Sequence, residues 1–274
     1  MTQNRRMEPD LVLAAFDAEV RRSVRPDGSG ARIEADPVVV RWVGADGRGW
    51  SGIAWSGLGD ADADAVIAAQ VAYFAARGEE FEWKLYDYDR PPDLGGRLLA
   101  AGFAAAGEES LMVTEVSAVP TQVDLPSGVR LLPVTDEAGV DLLADVHERV
   151  FGTDSSRLRR SVLAQLRDHP DAVAMAVAMA GDQPICSARI EFLSGSSFAS
   201  LWGGGTLPGW RGRGIYRALI AYRARLAAAR GYRYLYVDAS PDSQPILARL
   251  GFSRLAVTTP YVWDPGRAGD LTTG

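Results

Sequence analysis

The sequence contains little cysteine and histidine and no long apolar run. Its 274 residues include one cysteine, Cys186, and two histidines. One cysteine excludes an intrachain disulfide framework, which fits a reducing compartment. Neither histidine has a partner at metal-ligand spacing, and both are expected to be ordinary polar residues. No stretch approaches the roughly 18 to 20 apolar residues of a membrane span. We expect a cytoplasmic protein without a metal site or a membrane partner.

Net positive charge is absent as well. The formal net charge is -6, with 23% charged and 47% hydrophobic residues. Nucleic acids favour basic surfaces, so a nucleic-acid partner is not expected. The apolar content is typical of a soluble globular protein, and the length suffices for one large domain or two of ordinary size. We expect a monomer or a homodimer.

An internal repeat organises the chain. The segment DRPPDLGGRLLAAGF, from Asp89, aligns without a gap with DASPDSQPILARLGF, from Asp238. Each follows an aromatic-rich strand pattern and an alanine-rich helical pattern. An ungapped match that includes both the turn and the Gly-Phe ending argues against chance similarity. The matching positions are Asp89, Pro92, Asp93, Leu98, Gly102 and Phe103 with Asp238, Pro241, Asp242, Leu247, Gly251 and Phe252.

The order of predicted elements indicates a mixed α/β sheet. AVAMAVAMA, PICSARIEFL and SSFASLWGGG are joined by short turns, which predicts antiparallel pairing. A long helix then precedes YRYLYVDA, which predicts parallel pairing around that helix. The proline-containing segment SAVPTQVDLPSGVR is the predicted junction. We predict two tandem domains of similar fold, at residues 1–118 and 130–274, with a linker at 119–129.

Glycines and arginines stand at the start of the long helix, in GGGTLPGWRGRGIYRALIAYRARL. The first amides of a helix have no partner inside it, and the helix dipole adds roughly half a positive charge there. Gly212 and Gly214 leave the backbone open, while Arg211 and Arg213 add donors. The pattern predicts a phosphate or pyrophosphate site; the alternative is a flexible basic loop. Neither Walker nor Rossmann spacing is present.

The run from Arg211 to Tyr216, RGRGIY, resembles the acyl-CoA signature Arg/Gln-x-x-Gly-x-Gly/Ala of the GCN5-related N-acetyltransferases. Thr206-Leu207-Pro208 and Leu250-Gly251-Phe252 are also similar to that family, and the resemblance covers Val129 to about Trp263. The first half resembles a degenerate copy. The resemblance implies acetyl-CoA as co-substrate, with no metal. The implied cofactor-binding residues are Gly205, Thr206, Leu207, Arg211, Gly212, Arg213, Gly214, Ile215, Tyr216, Ser240 and Ser243.

Two departures from the family pattern leave the general acid open. Leu247 stands where many members carry a tyrosine that protonates the leaving thiolate, and Ser240 stands where an asparagine often touches the cofactor. Tyr216, the last signature residue, and Tyr261 are candidate acids, and Ser240 is a candidate for assisting the thiolate. Ser240 and Ser243 have three alternatives: capping the short helix, contacting the pantetheine arm, or assisting the thiolate.

The resemblance implies direct attack of an amine on the thioester, which needs a base and an oxyanion contact. A backbone amide near Gly204 to Thr206 is the implied oxyanion contact. Strand alternation places Arg189 and Glu191 on one face, opposite Cys186. A glutamate in an apolar strand is costly to bury unpaired. Glu191 is therefore the first candidate base, and an ion pair with Arg189 is an equal alternative.

These patterns predict an N-acetyltransferase that transfers an acetyl group from acetyl-CoA to a primary amine, with a small-molecule amine as acceptor. The first half has no signature, and Asp60, Asp62 and Asp64 would repel a pyrophosphate there while capping the helix. We expect that half to shape the substrate cleft without binding the cofactor. The alternatives are a non-catalytic CoA-binding sensor or partner-binding module, and a protein lysine or N-terminal acetyltransferase.

Overall fold

A single mixed sheet of twelve strands runs through the computed structural model, which describes residues 7–25, 30–45 and 50–268. Eleven strands lie in the order β1-β2-β3-β4-β12-β6-β11-β10-β9-β8-β7, and β5 pairs with β12. The strands are β1 (Arg32–Ala35), β2 (Val39–Val43), β3 (Gly52–Ser56), β4 (Phe81–Tyr86), β5 (Ala104–Ala105), β6 (Glu109–Glu115), β7 (Val129–Val134), β8 (Val173–Ala180), β9 (Gln183–Phe192), β10 (Phe198–Thr206), β11 (Tyr234–Ala239) and β12 (Ser253–Trp263).

Helices cover both faces of this sheet. The helix over Pro9–Phe16 continues as a π-helical turn over Asp17–Arg22. Within the described ranges, no helix is long and apolar enough to cross a membrane. The helices are α1 (Pro9–Phe16), α2 (Ala63–Ala75), α3 (Leu94–Ala100), α4 (Glu137–Phe151), α5 (Ser156–Asp168), α6 (Ile215–Ala229), α7 (Gln244–Arg249) and α8 (Pro265–Ala268).

Both halves of the chain build the same arrangement. In the second half, β7 to β10 form an antiparallel meander and β10 pairs in parallel with β11. In the first half, β1 to β3 are antiparallel and β3 pairs in parallel with β4. Parallel neighbours need a crossover, which α2 and α6 supply. The predicted tandem fold, with antiparallel strands first and parallel strands around the long helix, is confirmed.

The two halves are interlocked through their last strands. Strand β6 ends the first half in sequence but lies between β11 and β12, and β12 ends the second half but pairs with β4. The sheet is therefore continuous across the predicted linker. The division into residues 1–118 and 130–274 stays a prediction about the repeats, and its ends at 1–6 and 269–274 lie outside the described residues.

The packing of β6 shows which helices share a side of the sheet. Leu111 and Val113 pack with Phe16 of α1, whereas Met112 lies in the core beneath α6 and α7. Successive strand residues point to opposite faces, so α1 and α6 lie on opposite sides. On β8, Val177 packs with α4 and α5, and its neighbours pack with α6. Helices α1, α4 and α5 thus share one side, with the end of β10 between them.

Candidate active site

The loop before α6 presents an uncapped helix N-terminus. Gly214 occupies the N-cap position with φ 79°, and Gly212 has φ 74°. Both lie in the left-handed region that favours glycine. Among the described residues no side chain caps α6, and its first turn contains no acidic residue. A Cβ on Gly212 would meet open space. The free amides of the first turn, from Ile215 onward, are therefore accessible to an anion.

Three arginines surround this N-terminus. Arg211 donates from Nε to the Thr206 carbonyl at 3.1 Å, and Arg213 lies over the Trp210 ring at 4.8 Å. Arg217, in the first turn, lies 3.8 Å from the position that a Cβ on Gly214 would take. Within residues 7–25, 30–45 and 50–268, none of the three forms an ion pair with a carboxylate. Their charge adds to the helix dipole.

Strand β10 carries a glycine bulge close to its end. Trp202 pairs with Arg189 and Gly205 pairs with Ser187, so the two residues between Trp202 and Gly205 face one residue of β9. Gly203 has φ 58°. A Cβ on Gly204 would lie 2.7 Å from the Tyr216 ring. The bulge and the close packing therefore both require glycine.

The residues that follow the bulge anchor the loop to β9. A Cβ on Gly205 would lie 2.8 Å from Val150 of α4. The Thr206 hydroxyl lies 3.0 Å from Sγ of Cys186, and the Leu207 amide donates to the Ile185 carbonyl at 2.9 Å. Cys186 is fully buried, and burial raises the pKa of its thiol to about 11.

Strands β10 and β11 separate at the level of the bulge. Their last paired residues are Ser200 and Tyr236. Beyond this pair, Trp202 of β10 and Asp238 of β11 flank an opening at the carboxyl ends of two parallel strands, the place where open α/β sheets bind ligands. Trp202 is 40% exposed, and its Nε1 donates to Oγ of Ser200 at 2.8 Å. The opening adjoins the N-terminus of α6.

Glu191 is paired in this structure. Its Oε1 accepts a hydrogen bond from Nε of Arg189 at 2.9 Å, and the two side chains are 18% and 17% exposed. The Arg189 guanidinium also lies 5.4 Å from the centre of the Trp202 ring. Glu191 and Arg189 therefore form the ion pair that was the alternative to a role as base, and the pair lies on the same side of the sheet as the opening.

His147 of α4 lies on this side too. Burial, and then the charge of Arg189, lower its pKa, so the imidazole is neutral at pH 7 and able to accept a proton. Its ring centre is 4.6 Å from that of Phe151, whose side chain approaches Gly205. His147 is therefore a second candidate base.

The first half contributes a buried cation to the opening. Lys84, the only lysine in the sequence, places Nζ 2.6 Å from Oδ2 of Asp238 and 3.3 Å from Oε2 of Glu109. Burial lowers the pKa of Lys84, but the two carboxylates outweigh burial and raise it, so the lysine stays charged. Oδ1 of Asp238 is buried without a hydrogen-bond partner in the described part of the chain.

The candidates for the general acid lie in different surroundings. Tyr216 packs against the core between α6 and the bulge, and burial raises its pKa. Ser240 is exposed and Ser243 is half-buried in the turn before α7, and their hydroxyl oxygens lie 3.2 Å apart. Ser243 occupies the N-cap position without a capping hydrogen bond from its side chain, while the Ser243 amide donates to Oγ of Ser240 at 3.4 Å. Leu247 is fully buried in the core.

Sequence reasoning missed Lys84, His147, Arg217 and the buried Arg223 of α6. Lys84 had a signal, because it is one lysine among 29 basic residues. Arg217 also had one, as the third arginine of RGRGIYR. His147 and Arg223 had none, because their roles depend on contacts between distant segments. Within the described residues, no group of three or more His, Cys, Asp or Glu side chains could hold a metal ion.

Comparison with known families agrees with this geometry. Residues 140–252 match the model of the acetyltransferase (GNAT) family. The matched range runs from α4 to Phe252 and contains the bulge, the N-terminus of α6 and the opening between β10 and β11. This part of the chain is similar to the GNAT family. A search of curated proteins found no match.

Solved structures extend the likeness to the whole chain. A GCN5-related N-acetyltransferase from Kribbella flavida aligns with a TM-score of 0.69 and 18% identity, covering 92% of this chain and 95% of that one. A tandem GNAT protein from the clavulanic acid biosynthesis pathway aligns at 0.62 and 12%, covering 94% of both. A GCN5-related N-acetyltransferase from Sphaerobacter thermophilus aligns at 0.60 and 16%, covering 94% and 91%. The chain therefore has the tandem GNAT fold.

Proposed function

We propose that the protein is an N-acetyltransferase that uses acetyl-CoA to acetylate a primary amine of a small molecule. The observation that carries the proposal is the uncapped N-terminus of α6, surrounded by Arg211, Arg213 and Arg217, beside the opening between β10 and β11. A diphosphate of the cofactor would accept hydrogen bonds from the amides of this N-terminus and neutralise the arginines.

Acetyl-CoA supplies an activated thioester, and the proposed binding residues form one continuous surface. Arg211, Gly212, Arg213, Gly214, Ile215 and Tyr216 bind the phosphates through the backbone and the two guanidinium groups. Gly205, Thr206 and Leu207 form the edge of the opening on the β10 side. Ser240 and Ser243, in the turn after β11, form the opposite edge.

The acceptor enters on the side of the sheet that carries α1 and α4. Asp238 has a buried carboxylate oxygen without a hydrogen-bond partner among the described residues, and its negative charge suits the ammonium group of an amine. Glu191 remains the first candidate to take the proton from that group. To do so, it gives up the hydrogen bond that it accepts from Arg189. His147 is the second candidate, because its lowered pKa keeps it neutral at pH 7.

Tyr216 is the first candidate for protonating the leaving thiolate. Burial raises the pKa of its phenol, so the group carries its proton at neutral pH, as a general acid requires. The hydroxyl of Ser240 is the alternative donor. Neither stands at the position of the family tyrosine, which is Leu247 in this chain.

Calorimetric titration with acetyl-CoA tests the proposal. We expect one site per chain in the wild type and loss of binding in the double variant Arg211→Glu plus Gly214→Glu, since both changes put negative charge at the helix N-terminus. Arg225→Glu, on an exposed part of α6, is the control and should bind normally. Absence of binding in the wild type would contradict the proposal, and two sites would contradict the assignment of a single cofactor domain.

A screen of primary amines then distinguishes the acceptor class, with CoA release followed by a thiol reagent. Small amines as the best acceptors support the proposal, whereas lysine-containing peptides as the best acceptors would favour protein acetylation. Leu247 favours a second candidate, a non-catalytic CoA-binding module, because a core leucine cannot donate a proton. Binding of acetyl-CoA without transfer to any amine and without slow hydrolysis would support that candidate.

A further inference from the structure

Arg223 is a buried cation that has no counter-ion among the described residues. It lies two turns into α6 and is 2% exposed. Its Nε donates to the Leu219 carbonyl and its Nη1 to the Arg189 carbonyl, both at 3.1 Å. Within the described residues, Nη2 has no hydrogen-bond partner and no carboxylate pairs with the guanidinium. Burial lowers the pKa of Arg223, but an arginine keeps its charge in proteins.

The position of Arg223 relates it to the glycine bulge. The carbonyl that it binds belongs to Arg189, the residue of β9 that pairs with Trp202 where the bulge begins. Tyr216 lies within electrostatic range of the guanidinium, and its ring packs against Gly204. Guanidinium, phenol and bulge are thus neighbours on the α6 side of β10.

Packing alone does not account for a cation at this position. The neighbouring buried residues of α6 are Leu219, Ile220, Ala224 and Ala227. Burying a charge without a partner is costly, and replacing buried charges by neutral groups of similar volume is often neutral or stabilising. An arginine at residue 223 is therefore explained best by a negative charge that arises during function.

We propose that Arg223 is a positioning residue for acyl transfer, which holds the Gly203–Gly204 bulge open and gives its amides a positive surrounding for the thioester carbonyl. The inference rests on the proposed function and goes further, because it assigns the oxyanion contact to a supported bulge. Arg223 acts through the bulge and does not touch the reacting atoms.

The negative charge in question forms on the thioester carbonyl oxygen during the transfer. The amine nitrogen forms a bond to the thioester carbon while the π electron pair of the C=O bond moves onto oxygen. When that pair returns, the C–S bond breaks and the thiolate leaves, while the ammonium proton passes to the base. Fixed donors and charges in a site shielded from water stabilise such an oxyanion strongly. A guanidinium that is already buried needs no further desolvation in this step.

The test compares two neutral variants, Arg223→Gln and Arg223→Met, with Arg223→Lys, which keeps the charge. Arg225→Gln is the matched control, because Arg225 lies on the same helix but is exposed. Each protein is titrated with acetyl-CoA and with CoA, which lacks the carbonyl. The carbonyl stretch of bound acetyl-CoA, labelled with ¹³C at that carbon, is recorded by difference infrared spectroscopy. Thermal unfolding is measured without ligand.

In the wild type and in Arg225→Gln we expect the carbonyl stretch to move to lower wavenumber on binding. The two neutral variants should lose this shift and bind acetyl-CoA about tenfold more weakly, while their affinity for CoA stays within about twofold. Arg223→Lys should keep most of the shift. The thermal midpoints of the neutral variants should equal or exceed that of the wild type, because the unpaired charge is removed.

Three outcomes would overturn the inference. A wild type that binds acetyl-CoA without a carbonyl shift, or neutral variants that keep the shift, would show that Arg223 does not support an oxyanion contact. Equal loss of acetyl-CoA and CoA binding, together with a lower thermal midpoint, would show a purely structural role. If the wild type binds neither ligand, the proposed function fails as well, which separates that failure from the others.

Discussion

The two halves carry the same helix at the same place in the fold, with opposite charges at its N-terminus. Around the start of α6 lie Arg211, Arg213 and Arg217, which have no counter-ions among the described residues, and around the start of α2 lie Asp60, Asp62 and Asp64. Asp62 is at the N-cap of α2, but its side chain makes no capping hydrogen bond, contrary to the expectation from sequence. Arg97 of α3 contacts Asp64 at 3.2 Å and the Asp60 carbonyl at 3.4 Å. In the first half the acidic charge at this helix end is thus partly neutralised by Arg97, whereas the arginines at the corresponding end in the second half pair with no carboxylate among the described residues.

The repeat mates Asp89 and Asp238 differ in the same way. Each is paired with a basic side chain of the first half. Asp89 is closed: Arg21 contacts both of its oxygens at 2.9 Å, and the Tyr86 amide donates to Oδ2 at 3.0 Å. Asp238 is open, because Lys84 contacts Oδ2 and Oδ1 has no partner within the described chain. One repeat holds both oxygens of its aspartate in hydrogen bonds, and the other leaves one buried carboxylate oxygen without a partner among the described residues.

Loss of the ion pair between Arg21 and Asp89 should give the largest effect on stability. Asp89→Asn keeps the shape of the side chain but leaves Arg21, which is 3% exposed, with Asp17 as its remaining carboxylate. We expect a loss of about 3 kcal/mol in the free energy of unfolding, measured by urea denaturation. Asp238→Asn should lose about 1 kcal/mol, since Lys84 keeps Glu109. Equal losses in the two variants would contradict the distinction between a closed and an open aspartate.

For enzymatic activity, Asp238→Asn should have the larger effect and Asp89→Asn the smaller one. With the best amine from the screen, Asp238→Asn should lower kcat/KM by about tenfold or more, because a charged partner of the ammonium group is lost. The affinity for acetyl-CoA should not change, since Asp238 lies on the acceptor side. Asp89→Asn, assayed well below its unfolding temperature, is the control and should keep kcat/KM. A loss in both variants would assign Asp238 a structural role.

The charge contrast at the two helices can be sharpened with one arginine from each half. Arg217→Gln should weaken acetyl-CoA binding by about three- to tenfold at low salt, because one cation near the phosphates is lost. The difference from the wild type should shrink as salt is added, since this side chain is exposed. Arg97→Gln in the first half should leave binding unchanged. Weaker binding in Arg97→Gln, measured by the same titration, would indicate a cofactor site in the first half.

Local features of the fold were predictable from sequence, and long-range pairs were not. The start of α6 follows from Gly212 and Gly214, and the common face of Arg189 and Glu191 follows from strand alternation. The pair of Lys84 and Asp238 joins residues 154 positions apart. It depends on β6 and β12 lying between β4 and β11, and both halves would show the same periodicity without that exchange. The contact of Arg223 with the Arg189 carbonyl was equally unpredictable, because a helical pattern does not show which carbonyl a side chain reaches.

The smallest expected effect is that of His147 on the pH dependence of the free energy of unfolding. Its pKa in the folded protein is lowered by burial and by Arg189, so between that value and the unfolded value of about 6.5 the unfolded chain binds more protons. The free energy of unfolding should therefore decrease as the pH falls through about 6.5. His147→Gln should remove this part of the pH dependence, as measured by urea denaturation between about pH 5 and pH 8. If His147 is also the base, the same variant should lose the acidic limb of the kcat/KM profile, whereas a profile that keeps this limb would return the role to Glu191.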